Sequence, residues 1–175
     1  MGNFIGEYNY TIDAKGRLPL PPKFRERLGA VCYVAKGFDE CLYVYAEEDW
    51  EAFSAKLRSL PVMDTKLRKF VRSFLAGTHE VEPDKQGRIL IPQLQRERAS
   101  LEKEVVVAGV GDRVEIWDKA KWLDNSEYDL GEIEAQMLSM NFEGFATNTM
   151  VMISSNTSKP YKGMKEGRYW NMNTR

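Results

Sequence analysis

The sequence predicts a mostly β fold with helices, an α+β architecture built from two tandem copies of one module and closed by a pseudo-twofold axis. Three observations carry this reading. The stretch from Asp13 to Gly29 reappears from Asp84 to Ser100 at an offset of 71, with seven identities in seventeen positions. Short runs rich in Val, Ile and Tyr alternate with turn signals in both copies. Between the copies lies one apolar stripe at helical spacing. The identities are Asp13/Asp84, Gly16/Gly87, Arg17/Arg88, Pro21/Pro92 and the triplets Arg25-Glu26-Arg27 and Arg96-Glu97-Arg98. At an offset of 72 the likeness resumes, with Gly37 on Gly109, Leu42 on Val114, Val44 on Ile116, Tyr45 on Trp117 and Trp50 on Trp122. Stacked repeats need roughly three units to bury a continuous core, so a pair must close on itself instead.

Each copy reads as strand, tight turn, strand, short helix, two strands and a further helix. In the first, Phe4 to Ile12 forms a strand, Asp13 to Gly16 turns, and Leu18 to Leu20 returns. Pro21-Pro22 stops that strand and starts a helical turn over Lys23 to Leu28, because proline has no N–H for a ladder and a φ already set for a helix start. Val31 to Val34 and Cys41 to Tyr45 are β runs joined by the turn Gly37-Phe38-Asp39-Glu40. In the second copy Val105 to Val110 and Val114 to Trp117 repeat them around Gly109 and Gly111. Leu67, Phe70, Val71, Phe74 and Leu75 mark one buried face of a connecting helix that Gly77 ends. Ile133, Met137, Leu138 and Phe142 mark a weaker helix after the second copy. The expected boundaries are 1–60 for the first repeat, 61–77 for the connector, 78–125 for the second repeat and 126–145 for the last helix. Residues 146–175, rich in Asn, Thr, Ser, Gly and Lys without periodicity, read as a disordered tail.

With 175 residues and 43% hydrophobic content the chain can bury a core. Its longest apolar run falls far short of the ~20 residues a membrane span requires, and its start lacks the features of a secretion signal, so the expectation is a cytoplasmic protein. Cys32 and Cys41 fit neither a Cys-x-x-Cys motif nor a disulfide framework and read as small strand residues. The net charge of −1 conceals an uneven distribution: residues 13 to 27 carry a net +3 and residues 118 to 134 a net −4. Phosphate binding would therefore come from local basic patches, with the acidic segment turned away.

The two loops concentrate the chemistry. In Asp13-Ala14-Lys15-Gly16-Arg17 and Asp84-Lys85-Gln86-Gly87-Arg88, the aspartate can accept backbone N–H bonds within the turn and the glycine can take a positive φ, giving a rigid turn. Lys15 and Lys85 then sit within the turn while Arg17 and Arg88 open the return strand. A guanidinium on such a ribbon can reach phosphate oxygens or the guanine edge, and a bidentate guanine contact supplies about 1–3 kcal/mol of discrimination. A single Asp-x-x-x-Arg turn is more economically a surface ion pair, worth at most ~1 kcal/mol. Its repetition, with a lysine in each loop, favours a cation-presenting role. Arg25, Arg27, Arg96 and Arg98 follow closely and are candidate phosphate contacts, though a solvated helix face explains them equally well.

These motifs resemble the MraZ family of bacterial transcriptional regulators, whose fold is related to swapped-hairpin DNA-binding domains of AbrB type. The likeness lies in Phe4-Ile5-Gly6-Glu7-Tyr8, both Asp-x-x-x-Arg loops, Gly37-Phe38-Asp39-Glu40-Cys41-Leu42, Phe70-Val71-Arg72-Ser73-Phe74, Ile89-Leu90-Ile91-Pro92 and Glu115-Ile116-Trp117. It runs from Phe4 to about Gly144. The resemblance implies a double-split β-barrel of two AbrB-like repeats, a ring-shaped homo-oligomer, nucleoid association, and repression of the family's own division and cell-wall operon through short direct repeats in promoter DNA. By position Lys15, Arg17, Lys85 and Arg88 inherit the DNA contacts, and Asp13, Gly16, Asp84 and Gly87 the shaping of the loops. Pro19 departs from the second copy, which has Leu90 there; lacking a ladder donor, it predicts an edge position or a bulge. The tail also extends beyond the family pattern.

Other chemistry is weakly signalled. His79, the single histidine, has no Cys, Asp or Glu at zinc-like spacing, so no metal is expected. Glu80, Glu82 and Asp84 alternate and would share a strand face, but no nucleophile, second histidine or phosphate-binding glycine loop accompanies them. Neither an enzyme, nor a cofactor, nor a small-molecule substrate is expected. The rival reading is a non-catalytic oligomeric scaffold or protein-interaction module, with Tyr43, Tyr45, Trp50 and Trp122 as interface anchors.

Overall fold

A computed structural model describes residues 3–61 and 63–140. The expected place of Phe142 on the last helix and the expected disordered tail at 146–175 both lie outside the described residues. The described residues fall into two units, one ending at Asp124 and the other beginning at Asn125.

The first unit opens with β1 (Phe4–Thr11), β2 (Arg17–Pro19), α1 (Pro22–Leu28), β3 (Cys32–Lys36), β4 (Leu42–Ala46) and α2 (Glu47–Arg58). It continues with α3 (Thr65–Ala76), β5 (His79–Val81), β6 (Arg88–Leu90), α4 (Gln93–Arg98), β7 (Glu104–Gly111), β8 (Val114–Asp118) and α5 (Lys119–Asn125), the last crossing the boundary by one residue. The fold is thus α+β, as its periodicities predict. Six strands form one open antiparallel sheet in the order β1-β7-β8-β4-β3-β5, and β2 pairs with β6 in a separate antiparallel ribbon.

Pairing interleaves the two copies. β1 of the first lies on β7 of the second, and β5 of the second lies on β3 of the first. The pseudo-twofold passes through two cross-copy pairs: Tyr43 opposite Glu115 in β4 and β8, and Leu18 opposite Ile89 in β2 and β6. Each pair joins residues that are equivalent in the repeat, so neither copy can complete its sheet alone.

Alternation along the central strands sends side chains to two apolar layers. Val34, Leu42, Val44, Val105, Val107, Val114 and Ile116 face one side, where Leu18 and Ile89 of the ribbon, and Leu20 and Ile91 just past its strands, cover them together with Phe24 and Leu28 of α1. Tyr43, Tyr45, Val106, Ala108 and Trp117 face the other, with Trp50, Phe53 and Trp122 packed against them. Tyr43 and Tyr45 are therefore core residues, and Trp50 and Trp122 are half-buried against that core. Glu115, buried, is neutralised in place: Arg113 donates to its Oε1 from Nε and Nη2, and the Trp117 indole donates to Oε2 at 2.9 Å. Cys32 and Cys41 are free and buried, and burial pushes each thiol up to about 12.

The connector helix α3 starts where Asp64 caps the backbone N–H groups of Lys66 and Leu67, at 2.8 and 2.9 Å. Of its apolar stripe Phe74 is buried, and Leu67, Phe70, Val71 and Leu75 are half-buried. The helical stripe runs through Leu75, so the chain is still coiled at Ala76, where the first copy has already begun its first strand. This leaves β5 three residues against eight in β1. The expected alternation of Glu80, Glu82 and Asp84 on one strand face is corrected accordingly: β5 ends at Val81, and Glu82 and Asp84 lie beyond it.

In the second unit α6 (Leu130–Ser139) is capped by Asp129, whose carboxylate accepts from the N–H of Gly131 at 2.7 Å and of Glu132 at 3.1 Å. Among the described residues no helix is long and apolar enough to cross a membrane.

Candidate nucleic-acid interface

Both loops fold by the turn chemistry read from the sequence. Asp13 Oδ1 accepts the backbone N–H of Lys15 and of Arg17, each at 2.9 Å, and Gly16, with φ of 82°, donates its N–H to the Asp13 carbonyl at 2.9 Å. Asp84 Oδ1 accepts from Gln86 at 2.9 Å and Arg88 at 3.0 Å, and Gly87, with φ of 73°, donates to the Asp84 carbonyl at 2.7 Å. An L side chain at either glycine would carry the strain of the left-handed region.

The arginines fold back onto the carboxylates that shape their own turns. Arg17 Nε donates to Asp13 Oδ2 at 2.6 Å; Arg88 donates to Asp84 Oδ2 from Nε at 2.8 Å and Nη2 at 2.6 Å. Backbone and guanidinium N–H groups of Arg17 hold the Asp13 carboxyl below its ordinary value, and those of Arg88 bring Asp84 down to about 2. The side chains keep 33% and 23% of their surface exposed, so neither guanidinium is sealed by its ion pair. Lys15 and Lys85 are exposed.

The β2–β6 ribbon brings the loops together. Leu20 donates to the Gly87 carbonyl at 3.1 Å and Ile91 to the Gly16 carbonyl at 2.9 Å, so each return strand ends against the other copy's loop. Leu18 and Ile89 point into the core, completely buried, and the period of two turns Arg17, Pro19, Arg88 and Leu90 to the opposite, outward face. Pro19 stands opposite Arg88, between those bonded positions, so its missing N–H falls on the outer side of the ribbon. That is the edge position its presence predicts. Arg88 Nη1 also lies 4.0 Å from Asp13 Oδ2, an ion pair between the two loops.

The four helix arginines separate into different settings. Arg27 donates from Nη1 to the Asn3 carbonyl at 2.9 Å and stacks over the Phe4 ring at 4.8 Å. Arg98, exposed, lies beside Gly77. Arg25 and Arg96 lie against the glycines of the loops, a placement that helix periodicity could not show because it depends on the interleaving of the copies. Sequence reasoning also missed Gln95, which is buried and whose Nε2 donates to the carbonyls of Val34 at 2.7 Å and Gly77 at 3.0 Å, fastening α4 to the first copy. Among the described residues no three His, Cys, Asp or Glu side chains gather as a metal site requires.

Comparison with known proteins agrees with this doubled architecture. The MraZ protein family model matches twice, over residues 3–73 and 74–141. The protein called transcriptional regulator MraZ in Acetivibrio thermocellus is 58% identical over 119 residues, 68% of this chain and 83% of its own length. That of Carboxydothermus hydrogenoformans is 50% identical over 119 residues with the same coverage. The one from a Thermoanaerobacter species is 48% identical over 140 residues, 78% of this chain and 98% of its own length. With two matches spanning most of its length and relatives this similar, the chain belongs to the MraZ family.

Proposed function

We propose that this chain is a sequence-specific DNA-binding transcriptional regulator, cytoplasmic and nucleoid-associated, that represses the division and cell-wall gene cluster containing its own gene. It binds short direct repeats in promoter DNA as a ring-shaped homo-oligomer. The observation that carries this reading is the antiparallel pairing of β2 with β6: it sets two rigid Asp-x-x-x-Arg loops side by side with Arg17 and Arg88 on one outward face. The names of the relatives support the regulatory role.

The mechanism follows from charge and shape. Lys15 and Lys85 supply sequence-independent attraction to phosphate, while Arg17 and Arg88 read base edges or fix the register of the ribbon on the duplex. Each arginine bonds a carboxylate in the free protein, so DNA competes for a guanidinium already held near its working position. Of the helix arginines, Arg27 and Arg98 widen the phosphate footprint. A single subunit offers two loops and a small footprint, and linking subunits in a ring makes each further contact effectively intramolecular.

The test is a footprint on the DNA upstream of the chain's own gene. The wild-type protein protects several short, regularly spaced boxes, and the Arg17→Ala/Arg88→Ala double variant loses them with unchanged circular dichroism and light scattering. Full protection by the double variant, or no protection by the wild type, overturns the proposal.

A further inference from the structure

Each copy contributes an arginine that lies at the other copy's loop. Arg25 rises from α1 of the first copy, and its guanidinium occupies the space a Cβ on Gly87 would need. Arg96, its counterpart at the repeat offset, rises from α4 of the second copy. Its Cζ and Nη2 lie 3.1 Å from the Cβ position of Gly16. The Arg96 Nε donates to the Ile91 carbonyl at 3.2 Å, and the Ile91 N–H donates to the Gly16 carbonyl at 2.9 Å. Helix, return strand and foreign loop are thereby joined in one continuous run. Both arginines are half-buried and both glycines buried. The same crossed placement occurs on both sides of the pseudo-twofold.

A planar, weakly hydrated guanidinium is suited to lie flat against a backbone that has no Cβ, where a lysine would present a compact, strongly hydrated ammonium. The glycines therefore have two duties: they supply the positive φ of the turn, and they leave open the seat the arginine fills. Without an arginine in that seat, the loop would still form its internal Asp bonds but, no longer braced against the opposite helix, would open them more often.

We propose that Arg25 and Arg96 are positioning residues that act across the repeats, Arg25 holding the Asp84 loop and Arg96 holding the Asp13 loop, so that the two cation-bearing turns behave as one rigid unit. Its consequence for binding rests on the DNA-binding role proposed for the loops; the crossed bracing is a property of the free protein. A phosphate contact made by the same arginines predicts no crossed effect, because it leaves the free loops unchanged.

Amide hydrogen exchange on the full chain tests it. Arg25→Ala speeds exchange at the Gln86 and Arg88 amides by about tenfold and leaves Lys15 and Arg17 unchanged, while Arg96→Ala does the reverse. An effect confined to the arginine's own copy, an equal effect on both loops, or none overturns the inference. Should either alanine variant fail to fold, Arg25→Lys and Arg96→Lys carry the same crossed readout, with a smaller acceleration.

A second arm measures affinity for promoter duplex against salt. A positioning role lowers affinity in Arg25→Ala while the log–log salt slope keeps its wild-type value. A slope reduced by about 0.9, the signature of one phosphate no longer neutralised, with unchanged loop exchange, overturns the role. A wild type that binds no duplex defeats the DNA-binding role instead, and the exchange experiment still decides the bracing.

Discussion

The Asp13 loop and the Asp84 loop share the same aspartate, glycine and arginine at the same spacing, yet Asp13 receives one guanidinium N–H and Asp84 two. Arg17 keeps more of its surface exposed than Arg88, 33% against 23%. Around the glycines the asymmetry recurs: a Cβ on Gly16 would stand 3.0 Å from the Ile91 carbonyl, part of the backbone, whereas the atoms nearest a Cβ on Gly87 belong to the movable end of Arg25. Duplication has preserved the turn and its partner across the ribbon while the surroundings diverged. The first loop holds its cation more loosely and meets backbone at its glycine; the second holds its cation more firmly and meets the Arg25 side chain there.

The largest expected effects lie where the copies are equivalent. Leu18 and Ile89 face each other on the pseudo-twofold, both fully buried. Leu18→Ala and Ile89→Ala should each lower unfolding free energy by about 2–4 kcal/mol in urea titrations. A loss in one and not the other would break the equivalence. Next come the glycines: Gly16→Ala and Gly87→Ala should each cost about 1–2 kcal/mol of left-handed strain, the first pressing on the Ile91 carbonyl and the second expelling the Arg25 side chain from its seat. Wild-type stability in either variant, read in the same urea titrations, would show that its turn does not need the glycine.

The smallest effect is in acid. A carboxylate whose value is lowered by folding stabilises the fold fully above its unfolded value and loses that contribution as the pH falls through its folded one. For Asp84 that window runs from about 3.8 down to about 2. Asp13 is also lowered, but with one guanidinium N–H fewer it should be protonated before Asp84 as acid is added. Side-chain carboxyl NMR titration measures both; Asp84 titrating first would reverse the ranking of the loops.

Much of this was legible in the residues. The repeat located both loops, Asp and Gly specified their turns, and Pro19 announced the ribbon's outer edge. Strand runs could be read because alternation and turn residues are local signals. What could not be read is long-range: that β1 pairs with the other copy's β7, and that Arg25 and Arg96 lie across the repeat boundary. The short β5 follows from a local conflict. The helical stripe ending in Leu75 and the strand expected from the repeat claim neighbouring residues, and the helix, packed through Phe74 on Trp50 and Phe53, prevails. At the arginines the ion-pair reading of the turn is met in both copies, since each guanidinium bonds its own aspartate, while part of each side chain stays exposed.

The most direct measurement of the claim that both loops engage DNA together is the salt dependence of duplex binding for Lys15→Ala/Arg17→Ala and for Lys85→Ala/Arg88→Ala. Each pair should weaken binding and flatten the log–log slope by about 0.9 for every phosphate left without its cation, with the two copies contributing comparably. A slope untouched by either pair, in proteins that remain folded and assembled, would contradict it.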